Sequence, residues 1–288
     1  MREVLASALS SEVKLDVAVT QYRGHAIELA AQARVDGLDV VVALGGDGTV
    51  NEVVNGLLED GPNPEGPALA VVPGGNANVF ARALGLPNNA VDATSLLIEA
   101  LAADRRRRIG LGRVDERWFT FCAGLGLDAA VVRRVERKRA KGARATPGLF
   151  VRQGITEFFL SSAREPALVL ERDGGEPEPL GMALVCNTDP WTFLGPRPVR
   201  ACPDASFDTG LDLFGVRRLT TVATLRHLRQ ILARGARPRG RSLLQVHDAG
   251  ELRLSARVPV PLQVDGDDLG DRTSAVLRSV PDALDVVV

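Results

Sequence analysis

A chain of 288 residues, 45% hydrophobic and 25% charged, is longer than one hydrophobic core usually grows, which excludes a disordered polymer and favours two folded domains. The formal net charge of −1 gives no global field toward nucleic acid or anionic membrane, so no nucleic-acid partner is expected and any electrostatic targeting rests on local clusters. Cys122, Cys186 and Cys202 are odd in number without metal-ligand spacing, and no apolar run approaches the roughly 20 residues of a membrane span, so a cytoplasmic protein with free thiols is expected.

The chain opens in a helix, Arg2 to Leu9, and its first hundred residues then alternate β-rich runs with helical stretches, the pattern of a parallel sheet covered by helices. Strands are expected at Lys14 to Thr20, Leu38 to Leu44 and Ala68 to Val72. Helices are expected at Arg23 to Val35, Val50 to Glu59, Asn78 to Leu84 and Asp92 to Ala102. The run from Leu38 to Leu44 is nearly all apolar, as in a strand with helices on both faces. These elements form an α/β domain over residues 1–108.

Beyond Arg108 short strand patterns recur: Arg117 to Cys122, Ala167 to Glu171, Met182 to Cys186, Leu211 to Val216, Leu243 to Val246, Leu252 to Ser255 and Val260 to Val264. They predict a mainly antiparallel, β-rich second domain over 109–288, whose final strand is a candidate to return to the first domain. Helices at Leu127 to Lys138, Leu149 to Ser161 and Leu219 to Ala233 interrupt it. Pro/Gly-rich stretches at Gly174 to Pro179 and Gly195 to Pro203 read as loops.

Gly45-Gly46-Asp47-Gly48-Thr49 sits between a strand and a helix. Its glycines predict positive φ and close approach of a ligand to the backbone, and the helix start offers N–H groups and a dipole end suited to phosphate. Thr49 and Glu52 match a capping box. An acid in a phosphate cradle is unfavourable unless it holds a metal ion or takes a proton, which singles out Asp47; the alternative is an Asx turn. A second unit, Pro73-Gly74-Gly75-Asn76-Ala77-Asn78 and a helix closed by Gly85, repeats the design. Parallel strands place both turns on one edge, completing a nucleotide crevice. Asn76 and Asn78 cap the helix or touch phosphate or ribose, and Arg82 stands one turn in, either reaching a phosphate or solvated.

These two turns resemble those of the diacylglycerol kinase catalytic domain, shared by bacterial lipid kinases and sphingosine kinases. The similarity continues through Ala123 to Asp128, Asp208 to Asp212 and Asp265-Gly266-Asp267. The resemblance implies an N-terminal three-layer α/β nucleotide-binding domain like that of NAD kinases and diacylglycerol kinases, with a β-rich domain that closes over the nucleotide and bears the lipid site. It implies ATP and Mg²⁺ as cofactors, with Gly45, Gly46, Asp47, Gly48, Thr49, Gly74, Gly75, Asn76, Asn78 and Arg82 at the nucleotide. Asp47 and Asp267 are the expected catalytic residues, and Asp208, Asp128 and Asp212 the expected metal supports.

Three departures stand out. No counterpart of the family's opening strand and Asn-Pro-x-x-Gly-like loop is read before Arg2, which is expected either of a start set too late or of a defective protein; one family acid is Thr209 here, and the glutamate of an Asp-Gly-Glu motif is Asp267, one methylene shorter. The expected activity is an ATP-dependent lipid kinase. The rivals are an NAD-kinase-like enzyme and a catalytically impaired nucleotide- or lipid-binding protein.

The remaining signals are weaker. Asp265 to Val276 fails the EF-hand pattern, and His25, His227 and His247 lack zinc spacing. Arg133 to Lys141 and Arg105 to Arg108 are basic blocks. Each is either a peripheral contact to lipid headgroups or a solvated helix face and interdomain linker. Leu149, Phe150, Phe158, Phe159 and Leu160 line a lipid-tail pocket or form core. A homodimer is compatible with all of this.

Overall fold

Ala68-Leu69-Ala70-Val71-Val72-Pro73 is apolar at every position, and it becomes a strand buried along its whole length, β2 (Ala68–Pro73). The computed structural model describes residues 2–11, 13–139, 167–171, 176–233 and 235–288. The chain divides into two units, Met1–Gly110 with Asp282–Val288, and Leu111–Pro281.

In the first unit β1 (Val40–Gly45) pairs parallel with β2, residue for residue from Val40 opposite Ala68 to Gly45 opposite Pro73. The end of β14 (Asp267–Val287) lies on the other side of β2 through Val286 opposite Leu69. The helices are α1 (Arg2–Ser10), α2 (His25–Val35), α3 (Asp47–Leu57), α4 (Val79–Ala83) and α5 (Ala90–Ala102). Leu5 and Leu9 of α1 and Leu97 and Ala100 of α5 share a core with Ala68, Ala70 and Val72, alternate residues of β2 that face one way. Asn89 caps α5 by accepting from the Val91 and Asp92 N–H groups.

Two expectations fail here. Residues 14–20 form no strand: among the described residues no strand pairs with them, and Val17 and Val19 are 57% and 52% exposed. A β-prone run holds its form only when a neighbour takes its hydrogen bonds and side chains. β1 is also less covered than its composition suggested, with Val40 to Val42 half-buried and Leu44 exposed.

The second unit is mainly antiparallel. Its sheet runs β13 (Glu251–Val264), β5 (Cys122–Gly126), β8 (Met182–Cys186), β11 (Leu211–Val216), β12 (Leu243–Ala249). β6 (Leu168–Glu171) joins β13 and β7 (Glu178–Leu180), while β9 (Thr192–Leu194) and β10 (Arg197–Val199) form a separate hairpin. α6 (Leu127–Arg139) packs on this sheet, and α7 (Thr221–Ile231) begins at Thr220, whose hydroxyl accepts from the Ala223 N–H. Leu252 to Ser255 and Val260 to Val264 are one strand, β13, with an irregular register between Ser255 and Val260. Arg106 to Arg108 begin a strand, β3 (Arg106–Val114), which pairs with β4 (Arg117–Phe119), rather than a linker. Arg108 donates to the Asp282 carbonyl and pairs with Asp285. The expected helix from Leu149 to Ser161 lies outside the described residues, with its five apolar pocket candidates.

Two substitutions test the packing. A Cβ on Gly56 would lie 2.2 Å from the Ile27 carbonyl oxygen, where α3 crosses α2. Glycine to alanine normally stabilises a helix interior by about 1 kcal/mol, but here Gly56→Ala is expected to destabilise by about 1–3 kcal/mol in denaturant unfolding. His227 is buried, and burial lowers its pKa. The unfolded chain therefore takes up a proton near pH ~6.5 while the folded one resists, so this residue's contribution falls as pH drops below that value. His227→Gln is expected to flatten the stability profile between roughly pH 5 and 7 relative to wild type.

Candidate functional site

The parallel register of β1 and β2 brings the two glycine turns level. The Gly74 N–H donates to the Gly45 carbonyl at 2.8 Å. A Cβ on Gly75 would lie 2.6 Å from Gly46 Cα, and one on Gly74 would lie 3.3 Å from Gly45 Cα. Gly46, Gly74 and Gly75 are therefore held to glycine by backbone packing against backbone, while a Cβ on Gly45 would meet the Thr49 side chain. Positive φ, the sequence-based reason, does not apply: none of Gly45, Gly46, Gly48, Gly74 and Gly75 lies in the left-handed region. Gly46 is extended at φ −89° and ψ −178°.

α3 starts earlier than its sequence suggested. Gly46 is the N-cap, and the Val50 N–H donates to its carbonyl, so Asp47, Gly48 and Thr49 form the first turn. The capping box is thus overturned, because Thr49 is already helical. Glu52 serves another helix, accepting from Gly24 and Ala26 N–H groups at the start of α2, at 2.9 and 3.3 Å.

Asp47 reaches across to the second turn, where its Oδ1 accepts from the Phe80 N–H in the first turn of α4 at 3.2 Å. Arg82 is close enough that the Asp47 charge raises its pKa, though burial lowers it more. Asn78 occupies the N-cap of α4 at φ 47° without capping it. Its side chain instead fixes the turn, accepting from the Gly75 N–H and donating to the Gly75 carbonyl and Asn88. Asn76 is exposed. One unit thus gathers Gly45 to Thr49, Gly74 to Asn78 and Arg82: two helix starts, one carboxylate and one cation. Helix starts favour anions, and Gly48 faces space where a Cβ would meet nothing within 4 Å.

The other predicted acids lie in the second unit. Asp265 and Gly266, at φ 49° and 86°, form a two-residue loop between β13 and β14, with Val264 paired to Asp267. The Asp-Gly pair is a strong hairpin signal that the sequence reading left unused. Asp265 is buried and accepts from the N–H groups of Thr120, Phe121 and Cys122 and from the Thr120 hydroxyl, at 2.7–3.0 Å. Asp267 follows, half-buried. α6 holds the next turn: Arg133 pairs with Asp268 and Asp271, which raises its pKa, and Glu136 accepts from the Asp268 N–H. The first residue of the basic block thus serves the fold.

Asp212 is buried, which raises its pKa, and its Oδ1 already accepts from the Asp248 N–H and from His247 Nδ1 at 2.8 Å. Asp208 is exposed beside the Ser206 hydroxyl, whose oxygen accepts from the Asp208 N–H. The Asp128 side chain lies outside the described residues. Among those described, no three His, Cys, Asp or Glu side chains converge as a metal-binding group.

Residues 1–114 match the family described as the diacylglycerol kinase catalytic domain. A diacylglycerol kinase of Staphylococcus aureus (strain bovine RF122 / ET3-1) is 28% identical over 253 residues, 86% of this chain and 74% of that protein. The crystal structure of a diacylglycerol kinase from Bacillus anthracis str. Sterne superposes with a TM-score of 0.70 at 18% identity, over 97% of this chain and 87% of its own. An NAD kinase from Archaeoglobus fulgidus in complex with ATP gives 0.52 at 10% identity, over 100% and 88%. The last two likenesses show a shared mixed α/β fold.

Two alanine substitutions separate backbone packing from room left for a ligand. Gly75→Ala is expected to destabilise by about 1–3 kcal/mol, because the new methyl collides with Gly46. Gly48→Ala, in open space inside a helix, is expected to stabilise by about 0.5–1 kcal/mol. Paired thermal or denaturant melts check both signs.

Proposed function

We propose, from the membership of residues 1–114 in the diacylglycerol kinase catalytic domain family, that the chain moves the γ-phosphoryl group of ATP onto the hydroxyl of diacylglycerol or a related membrane lipid. The observation that carries this reading is the backbone contact of the two glycine turns, which sets the starts of α3 and α4 side by side with Asp47 between them. Helix starts and glycines suit a triphosphate, and Arg82 adds a cation one turn into α4. In-line transfer needs little covalent chemistry from the protein beyond positioning and charge.

Asp47 suits Mg²⁺ travelling with the nucleotide, which would offset phosphate charge. Asp208 and Asp212 fit a metal poorly, since Asp208 is exposed and Asp212 already receives two donors. Asp267 is proposed to accept the lipid hydroxyl proton, on a hairpin that Asp265 fixes. The likeness to an NAD kinase fold supports a second reading, phosphorylation of a dinucleotide. Incubation with ATP and either NAD or a lipid extract separates the two.

Asp47→Asn keeps an Oδ1 to accept from Phe80, so its melting temperature is expected to match wild type while phosphotransfer falls by about a hundredfold or more. Transfer within about threefold of wild type overturns the assignment. For Asp267, the glutamate variant is expected to keep or raise turnover and the alanine variant to lose most of it. Equal turnover in all three forms overturns the base assignment.

A further inference from the structure

The sequence between Asp212 and Asp248 contains eight arginines and no acidic residue, in a chain whose net charge is −1. At its centre α7 stands on the second unit's sheet. His227 and Ile231 are its buried anchors, with the His227 ring edge-on to Phe214 of β11 and its Nε2 2.8 Å from the Ser242 hydroxyl. The opposite face is apolar and open to solvent: Val222 is 80%, Leu225 61% and Leu228 45% exposed. Spacing of three residues puts these side chains on one face, and Arg226 and Arg229 stand four residues beyond Val222 and Leu225, beside the stripe. Arg217 and Arg237 are paired with Glu178 and Asp204. Among the described residues Arg226 and Arg229 have no carboxylate within ion-pair distance, and Arg226 donates to the Ser242 hydroxyl.

We propose that α7 is a membrane-docking helix whose Val222, Leu225 and Leu228 enter the headgroup boundary of an anionic bilayer while Arg226 and Arg229 meet its phosphates. Charge complementarity selects this occupant. An exposed apolar stripe flanked by arginines that no carboxylate neutralises, on a helix too short to span a membrane, is the pattern of an interfacial helix. The acid-free segment makes the surroundings of α7 locally basic in a nearly neutral chain, a local charge that anionic lipid attracts. Phosphotransfer is not required, because the helix lies apart in sequence from both glycine turns and from Asp267.

Co-sedimentation of the full chain, without nucleotide, uses vesicles of phosphatidylcholine containing phosphatidylglycerol and vesicles of phosphatidylcholine alone. Preferential binding to the anionic vesicles that weakens with added salt is expected. The triple variant Val222→Ser, Leu225→Ser, Leu228→Ser and the double variant Arg226→Gln, Arg229→Gln are each expected to reduce partition about tenfold or more. Their melting temperatures are expected to match wild type, since the changed side chains are exposed. Equal binding to both vesicle types overturns the proposal, as does unchanged binding by the variants. Loss of binding only in Arg137→Gln, Lys138→Gln would place the contact on α6 instead. A dimer in sedimentation velocity that these α7 variants dissolve would assign the stripe to a second copy, and would equally overturn it. Vesicle binding without ATP-dependent transfer would leave docking standing and count against the kinase reading alone.

Discussion

The first unit depends on two stretches of backbone touching where side chains would normally intervene. Parallel strands in register end level, so the turns after β1 and β2 leave at the same height, and Gly45 O receives Gly74 N–H. With Gly75 so near Gly46 that a Cβ would sit 2.6 Å from the latter's Cα, no other residue type fits that contact. Close approach then brings α3 and α4 to start as neighbours. A carboxylate on the first residue of one can consequently take an N–H from the first turn of the other. Asp47 thus has a structural duty whatever it does with a ligand. That duty explains how an acid is tolerated between two helix starts, because it is itself the partner that their unpaired N–H groups favour.

The second unit solves a similar positioning problem with a buried charge. Burying a carboxylate is costly unless its oxygens are satisfied, and Asp265 receives three backbone N–H groups and one hydroxyl from Thr120 to Cys122. These bonds fix the loop whose next residues are Gly266 and Asp267. Arg133 and Glu136 on α6 hold the far side of the same turn through Asp268 and Asp271. Asp267 is consequently framed on both sides. The shorter side chain sits on backbone with little freedom to shift, so its reach is set by the hairpin itself.

Much of the first unit was legible because its signals are local. An all-apolar β2, a glycine that closes α4 at φ 83° and two glycine turns each follow from a few adjacent residues. What failed depended on partners. Residues 14–20 have strand composition but no strand beside them, and Glu52, three residues after Thr49, caps α2 rather than its own helix. No spacing rule reveals a bond spanning 28 residues, from Gly24 N to Glu52. β14 was expected only as a final strand returning to the first domain, as its Val286 does beside Leu69; its length of 21 residues is hidden because its alternation is broken by charged and proline positions that only its pairing with β13 rationalises. Of the candidate site, the nucleotide-side residues assemble in one unit. Asp265, the residue that does most to hold Asp267, was passed over because its importance lies in contacts 143 to 145 residues away in sequence.

Several arginines of the structure are paired with carboxylates: Arg34 with Glu59 and Asp60, Arg108 with Asp285, Arg253 and Arg278 with Glu251. Exposed pairs of this kind contribute about 0–1 kcal/mol each, so stability alone does not require them. The region around α7 combines an acid-free run, two arginines without a carboxylate partner and the most exposed large apolar side chain among the described residues, Val222. Solubility would be better served by the reverse arrangement, with charge on the helix face and leucines beneath it. Apolar side chains outward with cations beside them suit a surface that is both oily and negatively charged, and a lipid bilayer has both properties.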